Sequence, residues 1–419
     1  MYDTGTETAR ERAILVGLSC NLSDFDNVSD TTMDELEALL DTAGGDTVAR
    51  VLQHRPSPEP RTLIGEGKVA EIKALLQAHE LDLVVFDNEL SPSQTRNLEK
   101  DLGARVVDRS LLILDIFASR ALTREGRLQV EAAQLQYILP RLSGLGLSLS
   151  RQGGGGQKSP IGTRGPGETQ LETDRRHIHR RIETLQSELK EVRRGRALLR
   201  DRRDKNEVPM VSLVGYTNAG KSTLFNALTD AGIPARNRLF DTLDTTVRAL
   251  ALDDVLQVML TDTVGFIRKL PHHLVEAFRA TLDELKYSKL LLHVIDASNP
   301  EWQEQAAVVD KLSDSLADNI PRLRIYNKID LAPDASFADG LCVSSVTGDG
   351  LEALRAKIAE LLELGTRRVE LLLPYNRADL LDLLHREAKI NREEYTPDGI
   401  SVAAICEDKV FGQVKEWTL

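Results

Sequence analysis

Short apolar runs alternate with amphipathic stretches through the first third of the chain, and the alternation predicts a covered parallel sheet. The run "AILVGLS" reads as a strand, and "DELEALLDTAG" reads as a helix closed by glycine. "TVARVLQHR" is a second strand, "EGKVAEIKALLQAHE" a helix and "LDLVVFDN" a third strand. "SPSQTRNLEKDLG" places Ser91 at an N-cap and Pro92 at the first helical position, and "ARVVDR" is a fourth strand. Strands joined by helices lie parallel, with the helices on the faces of the sheet. The stretch "LIGEGKVAE" holds Gly-x-Gly-Lys without the spacing of a phosphate loop, so it reads as a turn before a helix.

The period then changes. Leu128, Ala132, Leu135 and Leu139 form a helical seam, which Pro140 should end or kink. A second long helix is expected from near Thr169, with Ile178, Ile182, Leu185, Leu189 and Val192 along its seam. Two such seams close in sequence predict an antiparallel helical hairpin. The segment between them, "SGLGLSLSRQGGGGQKSPIGTRGPGE", has too much glycine, serine and proline for regular structure. A joint of that length is disordered or functional.

The chain has 419 residues, of which 41% are hydrophobic and 28% charged, with a formal net charge of -12. The balance is that of a globular protein of several domains. No apolar run is long enough to cross a bilayer, and the first residues lack the pattern of a signal peptide. Cys20, Cys342 and Cys406 are far apart and read as reduced thiols, so a cytoplasmic monomer without stable membrane insertion is expected. The average charge conceals a local excess. Residues 175–205 hold twelve Lys or Arg against five Asp or Glu, and the joint adds Arg151, Lys158 and Arg164. Clustered cations of this kind suit a polyanion, RNA above all.

The strand "PMVSLVG" runs into Gly215, Tyr216, Thr217, Asn218, Ala219, Gly220, Lys221 and Ser222, and "KSTLFNAL" continues as a helix. Strand, Gly-x-x-x-x-Gly-Lys-Ser and helix together make a phosphate loop. Backbone N–H groups and the helix N-terminus face the β-phosphate. Lys221 should reach the β- and γ-phosphates, Ser222 should bind Mg²⁺, and Thr223 should meet the α-phosphate. "LQVMLTDTVG" ends in Asp262, Thr263, Val264 and Gly265. Asp262 can hold Mg²⁺ through water, and the Gly265 N–H can bond a γ-phosphate. "RLRIYNKID" ends in Asn327, Lys328, Ile329 and Asp330. Asp330 is placed to accept from the ring N–H and amino group of guanine, a pattern adenine lacks. "LCVSSVTGDG" brings Ser344 and Ser345, followed by Val346, to the base edge. The stretch "RLFDTLDTTVR" should be the first switch, with Thr242, Thr245 or Thr246 on Mg²⁺ and the γ-phosphate; spacing does not separate the three. Where P-loop GTPases often carry a water-orienting glutamine, this chain has Phe266, so unaided hydrolysis should be slow.

With these residues in view, "IGTRGPGETQLETDRR", "TREGRLQVEAAQLQYILPRL", "GYTNAGKSTLFNAL" and "DTVGFIRKLPHHLVEAF" resemble the HflX family of GTPases. The resemblance spans nearly the whole chain. It implies a GTPase that binds the large ribosomal subunit and its rRNA and splits or rescues stalled or idle ribosomes, with hydrolysis stimulated by the ribosome. It makes Thr242 the switch threonine by match of "FDTLD" to the family's "FATLD", with Phe240, Asp241, Leu243 and Asp244 around the nucleotide. Asp241 stands where alanine is common. Lys221, Thr242 and Gly265 are then expected to act on the transferred phosphate, and Ser222 and Thr242 to ligate Mg²⁺. The resemblance also implies ATP binding through the N-terminal part, though residues 13–119 carry no glycine fingerprint for it. The expected layout is an α/β protein. It comprises an N-terminal parallel-sheet domain (10–121), a helical hairpin with a basic glycine-rich loop (122–206), a P-loop GTPase domain (207–365) and a small α+β domain (366–419). An ATP-driven RNA remodeller or nucleotide kinase is disfavoured by Asn327 to Asp330. A membrane-remodelling GTPase would need an apolar tip, whereas this one is basic and glycine-rich.

Overall fold

The computed structural model describes residues 10–22, 27–144, 166–204, 208–229, 231–232, 239–243, 245–252, 257–269, 283–317, 319–333, 337, 339–362 and 366–419. The chain starts with β1 (Glu11–Cys20), α1 (Asp30–Ala43), β2 (Gly45–Arg55), α2 (Glu66–His79), β3 (Leu83–Phe86), α3 (Pro92–Leu102) and β4 (Arg105–Asp108). The four strands pair in the order β2-β1-β3-β4, all parallel. Ala13 to Val16 and Leu18 are fully buried, as befits a strand covered on both faces. The Ser29 and Ser91 side chains cap α1 and α3. Gly65 is the N-cap residue of α2, which matches the reading of "LIGEGKVAE" as a turn.

The next helix, α4 (Arg109–Arg120), is absent from the pattern-based reading. Its N-cap is the Asp108 carboxylate, which accepts from the Leu111 N–H. Leu112, Ile113, Leu114, Ile116 and Phe117 are all buried. Its apolar residues are concentrated in one short run, "LLILDIF", which is ambiguous between strand and helix.

The hairpin follows with α5 (Arg124–Ile138), a 3-10 turn (Leu139–Gly144) around Pro140, and α6 (Pro166–Asp204). Leu128 and Ala132 of α5 pack with Leu185 and Leu189 of α6. Arg181 pairs with Glu131 at 2.7 Å and Arg124 with Glu188 at 3.3 Å, a crossing of early with late residues that makes the pair antiparallel. Residues 145–165 of the joint, with Arg151, Lys158 and Arg164, lie outside the described residues, while its last three residues, Pro166 to Glu168, begin α6.

A second sheet contains β5 (Met210–Gly215), α7 (Lys221–Thr229), β6 (Thr246–Ala251), β7 (Gln257–Asp262), β8 (Leu290–Asp296), α8 (Trp302–Ala317), β9 (Arg322–Asn327), β10 (Leu341–Cys342) and α9 (Leu351–Leu362). The order is β10-β9-β8-β5-β7-β6, parallel except for β6 against β7. The C-terminal ends of β5, β7, β8 and β9 therefore share one edge, where ligands bind in such sheets. The chain closes with β11 (Thr366–Leu373), α10 (Ala378–Glu387), β12 (Ala388–Thr396), β13 (Gly399–Glu407) and α11 (Asp408–Val414). Its antiparallel sheet is ordered β11-β13-β12, with Leu380, Leu384, Val410 and Val414 packed with Leu371 and Val402. This is an α+β unit.

The first two sheets share a core. Phe117 of α4 stands edge-on to Phe240 at 4.8 Å, and Phe266 and Ile267 belong to the same buried cluster. Beside it, Arg109 is 2% exposed and pairs with Glu35 and, at 2.6 Å, with Asp87. Lys269 reaches Asp87 at 2.8 Å. Buried charges need partners of this kind, since a lone one would bear its full desolvation cost.

Candidate functional site

The loop after β5 turns tightly. Asn218 has φ 63° and Gly220 has φ 91°. A Cβ on Gly220 would lie 2.3 Å from Asn327 Nδ2, so this position needs glycine. Asn327 in turn donates to the Ala219 carbonyl at 3.0 Å, which ties the phosphate loop to the end of β9. Lys221 is buried, and its Nζ donates to the carbonyls of Gly215 (3.1 Å) and Tyr216 (2.8 Å). Burial lowers its pKa to about 8, against the pull of Asp262.

Three oxygens converge at the start of α7. Ser222 Oγ lies 2.7 Å from Thr242 Oγ1 and donates to Asp262 Oδ2 at 2.7 Å. Asp262 is 0% exposed, and burial raises its pKa above the usual carboxylate range, opposed by the Ser222 bond and the Lys221 charge. Its second oxygen, Oδ1, has no hydrogen-bond partner among the described residues. Hydroxyl and carboxylate oxygens around a small space suit Mg²⁺, a hard cation that is bound by few protein groups. Thr242, and not Thr245 or Thr246, is the threonine beside Ser222; Thr246 is the first residue of β6.

The cleft is lined by Thr217, Asn218, Gly220, Lys221, Ser222 and Thr223, and across from them by Phe240, Asp241, Thr242, Thr263 and Gly265. Gly265 packs so closely that a Cβ there would be 2.8 Å from Thr217 Cα and 3.0 Å from Lys221 Nζ. Thr263 Oγ1 donates to the Leu213 carbonyl at 2.6 Å, and Val264 is buried. The Phe266 backbone pairs with the phosphate loop: its N–H donates to Gly215 O at 3.1 Å and its O accepts from Thr217 N–H at 2.7 Å. Its ring is in the shared core, 2% exposed. Phe240 sits at φ 55° and donates its N–H to Thr217 Oγ1 at 2.9 Å. Such a conformation is costly for a bulky residue and persists only where its surroundings hold it. Leu243 is buried in the core, and Asp244 lies outside the described residues.

At the neighbouring strand ends, Asn327 Oδ1 accepts from the Ser345 N–H (3.1 Å) and hydroxyl (2.8 Å). Ser344 Oγ donates to Asp330 Oδ1 at 2.6 Å. Ile329 packs against a small apolar cluster with Tyr326, and Val346 is 79% exposed. Two features escaped the motif reading. Asp296 at the end of β8 pairs with Lys328 at 2.6 Å; the signal was available, since "LLLHVID" is another apolar run ending in an acid. The Tyr216 hydroxyl donates to Glu35 of α1 and accepts from the Arg268 N–H at 2.8 Å. No local pattern announces that link.

A proton should accompany the nucleotide. Free Lys221 loses its charge above about pH 8, and phosphate oxygens would restore it. Binding is therefore expected to take up part of a proton between about pH 8 and pH 10, and to weaken as pH rises through that window. Calorimetric titration in buffers of different ionisation enthalpy measures this; heats independent of the buffer would refute it.

A parallel sheet that gathers a phosphate loop, an Asp-x-x-Gly strand end and an Asn-Lys-x-Asp strand end at one edge defines a P-loop GTPase. Family models match along most of the chain: "GTP-binding GTPase N-terminal" over residues 30–118, "GTP-binding GTPase Middle Region" over 120–203 and "50S ribosome-binding GTPase" over 210–328. The GTPase HflX of Lacrimispora saccharolytica is 47% identical over 414 residues, 97% of this chain and 96% of that one. The GTPase HflX of Caldanaerobacter subterraneus subsp. tengcongensis is 48% identical over 406 residues, 96% and 92% of the two chains. The chain belongs to the HflX family of GTPases. Among solved structures, a GTP-binding protein from Sulfolobus solfataricus in complex with GDP matches 84% of this chain and 98% of its own, at 27% identity and a TM-score of 0.43. No helix among the described residues is long and apolar enough to cross a membrane.

Proposed function

We propose that this GTPase binds the large ribosomal subunit through its rRNA, that the ribosome stimulates its GTP hydrolysis, and that it splits or rescues stalled or idle ribosomes. The observation that carries this reading is the hairpin. Its second helix runs for 39 residues, and residues 175–205 have the basic excess of twelve to five. Arg175, Arg176 and Arg180 are exposed along it. Some of these cations pair with acids, as Arg194 does with Glu191 within the segment and Arg181 with Glu131 of α5, but twelve cations outnumber the five acids of the segment. The family model over 210–328 supports the same partner by its description.

In the nucleotide site, Lys221 and the loop N–H groups hold the β- and γ-phosphates, Gly265 bonds the γ-phosphate, and Asn327, Asp330, Ser344 and Ser345 hold guanine. Ser222 and Thr242 would hold Mg²⁺, with Asp262 behind them. The ion supplies neutralisation of phosphate charge. Water attacks the γ-phosphorus, the bond to the β-phosphate oxygen breaks, and GDP and phosphate leave. Phe266 offers that water no hydrogen bond, so the free protein turns over slowly. The chain is read as four domains, 10–121, 122–206, 207–365 and 366–419, and as a cytoplasmic monomer.

Large subunits are expected to raise the hydrolysis rate by about tenfold or more, with binding that weakens steeply as salt increases. Deleting residues 153–164 should spare GTP binding and reduce subunit separation followed by light scattering. Hydrolysis indifferent to large subunits would exclude the ribosome as the stimulating partner.

A further inference from the structure

The C-terminal end of α4 touches the first switch at two successive residues. Phe117 packs on the Phe240 ring, and Arg120 Nη1 lies 3.5 Å from Asp241 Oδ1. Both members of the ion pair are largely shielded, with 23% and 11% of their side-chain surface exposed. Asp241 itself lines the phosphate cleft, between Phe240 and Thr242. The opposite end of α4 carries Arg109, which shares Asp87 with Lys269 of the segment after Gly265. One twelve-residue helix of the first sheet thus contacts the first switch directly and is tied through Asp87 to the segment after Gly265.

A carboxylate beside a triphosphate is unfavourable, because like charges repel strongly where water is scarce. Asp241 stands next to Thr242, the residue assigned to Mg²⁺ and the γ-phosphate. We propose that Arg120 is a positioning residue of this GTPase that offsets the Asp241 charge, so that the first switch can close over GTP only with α4 in place. The pair makes discrimination between GTP and GDP depend on a helix outside the GTPase domain. GTP bears the additional phosphate charge and sits nearer the switch, so it feels Asp241 more than GDP does. The inference rests on the reading of the cleft as the phosphate site.

A double-substitution cycle tests it, with affinities for GDP and for a non-hydrolysable GTP analogue measured in the full chain with Mg²⁺. Arg120→Ala is expected to weaken the analogue about tenfold while changing GDP about twofold or less. Arg120→Lys should keep most of the parent's preference. The double variant Arg120→Ala, Asp241→Ala should return the ratio to within about twofold of the parent, since no charge then remains to offset. Arg120→Gln, which keeps the aliphatic stem, carries the same test should alanine loosen α4. An unchanged ratio in Arg120→Ala and Arg120→Gln, or a double variant as impaired as the single one, overturns the proposal. A parent chain that binds neither nucleotide overturns the cleft assignment instead, and the proposal with it.

Discussion

Lys221→Ala is expected to lose about a hundredfold or more in affinity for GTP while the nucleotide-free chain melts no lower than the parent. The side chain is 6% exposed, and among the described residues its ammonium is held by the carbonyls of Gly215 and Tyr216 and by the charge of Asp262. Each charge-assisted bond to a phosphate oxygen contributes about 1.5–3 kcal/mol, and two such bonds would be lost. Stability should move the other way. The folded pKa of Lys221 lies below its ordinary value, so its protonated form is disfavoured by folding. That penalty is fully present below about pH 8 and fades as pH rises towards the unfolded value. Removing the amine removes the penalty, at the expense of a small cavity. Titration with a fluorescent guanine nucleotide and thermal melts without nucleotide separate the two effects. A variant that binds GTP as the parent does would remove Lys221 from the phosphate site.

Asp330→Asn is expected to weaken GTP by about a hundredfold and to make xanthosine triphosphate the preferred ligand. Ser344 Oγ already donates to Asp330 Oδ1, which fixes the carboxylate at the end of β9. A carboxylate accepts from the ring N–H and amino group of guanine. An amide presents a donor to that amino group and leaves it without an acceptor, whereas the 2-oxo group of xanthine accepts from the amide. Asn327 and Ser345 keep their mutual bonds in the variant, so the pocket should persist. Competition between the two triphosphates for one labelled nucleotide gives the ratio. Equal loss for both bases would mean that the substitution damaged the loop rather than base choice.

Motifs at strand ends were legible because they are local. Lys221, Ser222, Asp262, Asn327 and Asp330 each follow an apolar run, and the parallel sheet brings those runs to one edge. Thr242 was not separable from Thr245 and Thr246 by spacing, because the choice depends on how the chain curves back to Ser222. Tyr216 was readable as a loop residue but not as a bridge to Glu35, a contact between residues far apart in sequence. The omission of α4 had the largest consequence. Its short apolar run "LLILDIF" is as consistent with a strand as with a helix, and with it went Arg109, Phe117 and Arg120. Burial of the helix is what sets Phe117 against Phe240 and Arg109 beside Asp87.

The shared core also constrains how the protein is made. Synthesis proceeds from the N-terminus, so β1 to β4 and α4 emerge first, and Phe117 has no Phe240 to meet. The whole hairpin, β5 and α7 must be translated before that ring arrives, and Phe266 follows later still. Throughout that interval an apolar face of the nascent first sheet remains wet, and Arg109 and Asp87 lack Lys269. Contacts so distant along the chain form slowly, because the loop must be closed before they contribute. The nascent chain thus keeps that face open for as long as α5, α6, β5 and α7 take to appear, an interval in which exposed apolar surface is prone to aggregate.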